Sequence, residues 1–256
     1  MEETKRPGPS PETPPGALRM IEENEKSTAA AGSSDESAGL AEIAPDIWLD
    51  SRLALVHRAS RWLAVADVHY GYELSRRAAG GLFPLWGMET IEQRFAALLE
   101  KHAPETVILA GDTVDSGMAS REALDWLASV RERCDRLVLV AGNHDRGAIR
   151  RELDFVDSFE PGDGFFFHHG HESPMIPERT RVEVSGHLHP SVSLNDGAGL
   201  SLKLPSLVCE TLGERQHWFL PAFSPWAGGG GWKRTHPDAK VRQWACGKGR
   251  VLEFGE

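Results

Sequence analysis

From Trp62 to Val184 the chain alternates short unbroken apolar runs with stretches that are apolar on one face only. The runs Trp62-Leu63-Ala64-Val65-Ala66, Val107-Ile108-Leu109-Ala110 and Leu137-Val138-Leu139-Val140 have strand length and no polar interruption. That is the pattern of strands buried on both faces. Between them Ile91, Phe95, Leu98 and Leu99 recur at helical spacing and predict a helix from about Glu89 to His102. A second helix is expected from Ser120, as its N-cap, to about Arg133, with Leu124, Leu127 and Val130 inward. Ahead of these, Asp46 to Leu49 and Leu53 to Val56, joined by Asp50-Ser51-Arg52, read as a β-hairpin. Phe165 to Phe167 and Val182 to Val184 are further strands, followed by Leu200 to Leu204, Gln216 to Leu220 and Val251 to Phe254. Strands alternating with helices, then mainly strands, predict an α/β layered domain.

Before the hairpin the pattern is lost. Residues 1–44 are rich in Pro, Gly, Ser, Ala and Glu, with almost no aromatic or β-branched side chains. Such a stretch buries too little apolar surface to offset its ordering entropy. The expected organisation is a disordered tail over 1–44, with a partner-binding arm as the alternative, and one domain over 45–256.

Composition narrows the function classes. A formal net charge of -10 argues against coating nucleic acid through bulk electrostatics, although a local basic groove stays open. Cys134, Cys209 and Cys246 are widely spaced and form no Cys-x-x-Cys pair, which suggests a reducing compartment. No apolar stretch reaches the roughly 20 residues of a membrane span, and the polar start does not resemble a secretory signal. A cytoplasmic location is expected.

The chemistry lies where the apolar runs end. Five blocks follow them: Asp67-Val68-His69, Gly111-Asp112-Thr113-Val114-Asp115, Gly142-Asn143-His144-Asp145, His168-His169-Gly170-His171 and Gly186-His187-Leu188-His189. Carboxylate, imidazole and an amide carbonyl form a mixed ligand set suited to Mn, Fe, Zn or Ni rather than Ca. The absence of cysteine from every block argues against a structural zinc site. Two adjacent ions need a shared carboxylate, and Asp112 is the natural bridge. Gly111, Gly142, Gly170 and Gly186 each lie beside a ligand, where a missing Cβ permits close approach.

The ordered blocks Asp-x-His, Gly-Asp-x-x-Asp, Gly-Asn-His-Asp, His-Gly-His and Gly-His-x-His resemble those of the calcineurin-like metallophosphoesterase superfamily, over roughly Trp62 to Pro190. Asp67-Val68-His69-Tyr70-Gly71-Tyr72-Glu73 and Leu220-Pro221-Ala222-Phe223 are similar to a narrower group, the ICC-like phosphoesterases. That group includes the bacterial ligase-associated DNA damage response endonucleases. The resemblance implies a four-layer α-β-β-α sandwich of two mixed sheets flanked by helices. It also implies two divalent ions, Mn foremost with Fe, Zn or Ni as alternatives. One would be held by Asp67, His69, Asp112 and His189, the other by Asp112, Asn143, His169 and His187. A hydroxide bridging the ions would attack phosphorus, with His144 protonating the leaving oxygen and Asp115 orienting it.

The implied activity is phosphodiester hydrolysis, with single-stranded or damaged DNA as substrate and helicase and ligase repair partners. A phosphomonoesterase and a non-catalytic scaffold are the alternatives. Asp115-Ser116-Gly117 and Asn143-His144-Asp145 depart from the Asp-Arg-Gly and Asn-His-Glu of Ser/Thr protein phosphatases and argue against that activity. Within the histidine cluster His169 is the preferred ligand; His168 is expected to point into the sheet, and His171 is a substrate contact or merely exposed. His57, His102, His217 and His236 read as structural or surface residues. Arg76-Arg77 and Arg150-Arg151 are solvated helix faces or phosphate contacts. Tyr72 and Trp86 are packing residues or stacking surfaces, and Trp226 and Trp232 flank a glycine-rich loop or flap.

Overall fold

The computed structural model describes residues 39–195, 197–230 and 232–255. Its first sheet holds β1 (Leu40–Ala44), β2 (Ile47–Asp50), β3 (Ala54–His57), β4 (Trp62–Val65), β5 (Thr106–Ala110), β6 (Arg136–Val140) and β7 (Phe155–Val156), in that spatial order. β1 to β4 pair antiparallel through short turns, and β4 to β7 pair parallel. The parallel half needs crossovers, which the helices supply. α1 (Tyr72–Ala78) and α2 (Gly87–His102) follow β4, α3 (Ser120–Arg131) follows β5, and α4 (Ala148–Glu152) follows β6.

The second sheet contains β8 (Ser158–Gly162), β9 (Phe165–His168), β10 (Val182–Ser185), β11 (Ser191–Asn195), β12 (Ser201–Leu212), β13 (Arg215–Phe219), β14 (Lys240–Gly247) and β15 (Arg250–Gly255). The order is β15-β14-β12-β13-β10-β9-β8, with β11 paired to β12. β10 is parallel to both neighbours, β9 and β13. Two mixed sheets with flanking helices result, as the resemblance implied, and every described helix falls between β4 and β7.

The core lies between the sheets. Trp62 of β4 meets Phe165 and Phe167 of β9 edge-to-face, with ring centroids 5.3 Å apart in each pair. All four residues of β4 and of β9 are buried, the apolar runs Trp62–Val65 and Phe165–Phe167 together with His168. α2 packs through Ile91, Phe95, Leu98 and Leu99. Phe95 meets Trp126 of α3 at 5.5 Å, and Tyr70 stacks on the same indole at 5.0 Å.

Four expectations need correction. The disordered tail was expected over 1–44, yet Leu40–Ala44 forms β1, so the sheet begins before residue 45. Only Ile43 of that strand is buried, and the strand exists because its backbone completes the edge of β2. The rest of the expected tail, 1–38, lies outside the described residues. Ser120 does not cap α3: its hydroxyl donates back to Gly117 O, while Ser116 Oγ accepts from Met118 N in the preceding 3-10 turn. The buried stripe of α3 is Ala123, Trp126, Leu127 and Val130, with Leu124 only half-buried. Finally, α1, α4, β7, β8, β11 and β14 were given no bounds from the sequence. β14 has adjacent polar residues, Arg242 and Gln243, before its apolar end, and becomes a strand by pairing with β12 and β15.

Candidate metal centre

Parallel neighbours in one sheet end at the same edge, so the blocks after β4, β5 and β6 are brought together by topology, and those after β9 and β10 likewise. Main-chain bonds then stack the turns: Asp67 N donates to Gly111 O at 3.1 Å and His69 N to Asp112 O at 2.9 Å. The Leu220–Phe223 block stitches the two sheets at this edge. Leu220 N donates to Ser185 O, and Phe223 N and Ser224 N donate to Ala66 O and Asp67 O.

Asp67, His69, Asp112, His187 and His189 all have positive φ, between 46° and 67°. Left-handed backbone at non-glycine residues is strained, and five such residues in one cluster mark a functional site. The turns aim their side chains inward. Gly111 and Gly142 allow close approach: a Cβ at either would lie 2.1 Å from a site side chain, His169 Nδ1 and Asp112 Oδ1 respectively.

The expected ligands converge in two overlapping groups. In one, His189 Nε2 lies 3.1 Å from Asp67 Oδ1 and 3.5 Å from His69 Nε2, which is itself 3.8 Å from Asp112 Oδ2. In the other, His169 Nε2 lies 3.3 Å from Asp112 Oδ2 and 3.2 Å from Asn143 Oδ1, with the His187 ring 5.0 Å from the His169 ring. Asp112 Oδ2 faces both groups, while Oδ1 accepts from His144 N at 2.8 Å. Asp67, Asp112 and His169 are buried, so this charge is removed from water.

The donor chemistry fits cations. His169 Nδ1 sits 3.2 Å from Ala110 O. A carbonyl only accepts, so Nδ1 carries a hydrogen, and Nε2 faces two oxygens with room for a proton or a cation between them. Those electron-rich atoms need a positive charge among them. Burial pushes the His169 and His189 imidazoles down, yet the facing carboxylates leave both raised above their ordinary values. Burial pushes the Asp112 carboxyl up, but the His169 and His144 hydrogen bonds hold it at about 2. His69 and His187, where burial dominates, are lowered. The set therefore holds ionised carboxylates and nitrogen donors around a shared oxygen.

His144 is near the first group, its ring 4.8 Å from His69. Its Nδ1 lies 2.9 Å from the main-chain oxygen of Asp115 but 3.9 Å from the Asp115 carboxylate. The expected partner Asp115 thus meets His144 through its backbone carbonyl rather than its carboxylate. Asp115 Oδ1 instead faces His69 Nδ1 at 3.7 Å, beyond hydrogen-bond distance, and neither atom has another hydrogen-bond partner among the described residues.

Among the other histidines, His168 is buried and its Nε2 lies 2.7 Å from Glu183 Oε1, away from the centre. His168 ends β9 while His169 leaves it, and successive residues face opposite ways. His171 is exposed, its ring 5.2 Å from His169. His57 packs against Trp62 and Phe165, and His102 binds Asp50. Gly230 N donates to His189 O, so the glycine run rests on the ligand block.

Arg146 and Arg150 line a cleft of about 540 Å³ with Asn143, His169 and His171. Arg76 comes within 3.9 Å of Asp115 Oδ1. Of these, Arg146 was not singled out beforehand. Asp145 was also missed as an anchor: buried, it accepts from Gly142 N and Val114 N and braces two ligand turns. Its place directly after Gly-Asn-His was the available signal.

No curated protein sequence matches the chain. Among solved structures, a nuclease, MPE, from Pseudomonas putida is 29% identical and superposes with TM-score 0.62, covering 85% of this chain and 100% of that one. The phosphoesterase YfcE from E. coli is 16% identical, with TM-score 0.44, covering 76% of this chain and 98% of that one. Residues 60–242, from the start of β4 into β14, match the calcineurin-like phosphoesterase family, and the chain belongs to it.

Proposed function

We propose that the protein is a phosphodiesterase dependent on two divalent ions and acting on nucleic acid strands. The observation that carries this reading is the Asp112 carboxylate, whose Oδ2 stands between His69 Nε2 and His169 Nε2 at 3.8 and 3.3 Å. One ion would take Asp67, His69, Asp112 and His189, and the other Asp112, Asn143, His169 and His187. Bound there, divalent ions supply Lewis acidity toward phosphoryl oxygens and make an attacking water acidic enough to ionise near neutral pH.

The chain's own residues supply the rest. His144, its Nδ1 hydrogen held by the Asp115 carbonyl, presents Nε2 to the opening and would pass a proton from it to the leaving oxygen. The Ala110 carbonyl holds the ring of His169, and the Asp115 carboxylate faces that of His69. Manganese is our first choice for the metal, because a set of oxygens and imidazoles without thiolates suits it. The likeness to a nuclease across the whole of its length supports a diester in a nucleic acid, while the repair setting, the helicase and ligase partners and the cytoplasmic location rest on the sequence reading alone. No described helix is long and apolar enough to cross a membrane.

The test is manganese-dependent hydrolysis of bis-p-nitrophenyl phosphate against p-nitrophenyl phosphate, with Asp112→Asn as control. Diester turnover that disappears in the variant, together with lower metal content, is expected. Turnover of the monoester alone would replace the diesterase reading with a monoesterase.

A further inference from the structure

Beside the centre, on the side of Asp115, the fold builds an aromatic shelf that this chemistry does not use. Trp86 and Trp226 meet with ring centroids 4.4 Å apart, and Tyr72 stacks on Trp226 at 6.0 Å with planes 21° apart. Trp86 is 42% exposed and follows the exposed Leu82 and Leu85, so the shelf opens to solvent. Arg76 lies over the Tyr72 ring, its Cζ 4.6 Å from the centroid, and its Nη2 reaches to 3.9 Å from Asp115 Oδ1. The shelf therefore starts at the edge of the candidate centre.

Its rings are held in place. Glu73 is completely buried, and its carboxylate accepts from Trp226 Nε1 at 3.0 Å and from Met88 N at 2.8 Å. One carboxylate thereby joins α1, the start of α2 and the segment following the Leu220–Phe223 block. Gly87 leaves the room: a Cβ there would lie 2.1 Å from Trp226 Nε1. Burying a carboxylate is costly unless its hydrogen bonds are needed, and here one of them fixes an indole at the surface.

An exposed indole backed by two half-buried rings, with a guanidinium between them and the candidate centre, matches the chemistry of a single nucleic acid strand. A base stacks on the rings, and its phosphate meets the cation. The acidic protein offers no bulk attraction for a polyanion, so a local site must provide it. We infer that Trp86, Trp226 and Tyr72 seat an unpaired base, and Arg76 its phosphate, next to the scissile bond; this rests on the phosphodiesterase reading above.

Trp86 is the position to change, because its main-chain oxygen, not its ring, receives the first bonds of α2, from Thr90 N and Thr90 Oγ1. The full-length protein with manganese is assayed on a single-stranded oligonucleotide and on methyl p-nitrophenyl phosphate, a diester with no base. Trp86→Ala should raise KM for the oligonucleotide about tenfold, leave kcat nearly unchanged, and leave the small diester unaffected. Trp86→Phe should restore most of the loss. Independently of turnover, an oligonucleotide containing 2-aminopurine should lose fluorescence on the chelated wild-type protein and not on Trp86→Ala. Equal losses on both substrates, or no change on either together with unaltered quenching, would overturn the shelf. So would a variant whose one effect is to convert a dimer into a monomer in sedimentation, since the rings then serve self-association. If the wild type turns over neither diester, the phosphodiesterase reading fails, and the fluorescence still decides whether a base sits on the shelf.

Discussion

His144 and Asp115 show how a residue's identity and its contact can part company. The Gly-Asn-His-Asp block marks His144 as a candidate acid, and the fold sets its ring 4.8 Å from His69, but the atom that holds it is a main-chain carbonyl. A backbone oxygen has no residue type, so no motif can reveal it. His144→Ala should leave metal content unchanged and lower kcat roughly a hundredfold or more, the usual effect of losing a general acid. The fall should be steepest for poor leaving groups. A full rate on a poor leaving group would remove His144 from that role. The choice among His168, His169 and His171 was more accessible, because strand alternation turns adjacent side chains to opposite faces. The distance from His168 to Glu183 was not accessible, since those two residues meet only through the pairing of β9 with β10.

At the scale of elements, the helices and central strands were readable because burial imposes a period on them. The edge strand β1 was not, since backbone pairing and not side-chain burial makes it a strand. Asp50 shows a link between elements that the hairpin pattern conceals. At the end of β2, buried, it accepts from Arg52 Nε and Nη2 at 2.8 and 2.7 Å and from His102 Nε2 at 3.0 Å, tying the last residue of α2 to the hairpin. Burial pushes its carboxyl up, but the Arg52 and His102 hydrogen bonds outweigh this and hold it well below the usual carboxylate range. A depressed folded pKa stabilises the protein fully above the unfolded value of about 4, and the contribution fades as pH falls toward the folded value. Asp50→Asn should cost about 1–3 kcal/mol at neutral pH in chemical denaturation. The gap to wild type should close below about pH 4. A gap that stays constant with pH would mean the carboxylate charge is not what stabilises the junction.

Across the whole molecule the candidate centre is a meeting of two sheets, and it carries strain. Five of its residues hold left-handed backbone, at about 1 kcal/mol or more each. Buried carboxylates and facing imidazole nitrogens add an unmet demand for positive charge. Divalent ions binding the folded state should offset both. With ion at about a hundred times Kd, linkage gives about 2.7 kcal/mol, and a chain of this size should gain roughly 5–10 °C in Tm. Scanning calorimetry with manganese and after chelation checks this. Equal Tm values in the two conditions would argue that the centre does not hold metal.

The sequence by itself determined what is local: where apolar runs end, which residues stand at those ends, and hence the ligand types and their order. Those features are one-dimensional, because a strand's burial and the residue after it are neighbours in the chain. Tertiary structure decided whatever depends on which strands lie side by side. It made Asp112 common to both groups, turned the Asp115 carboxylate toward His69, and let the Leu220–Phe223 block join the two sheets. It also set Trp86 against Trp226 through the buried Glu73. Each of these rests on contacts between distant segments, and such contacts exist only once the two sheets have packed.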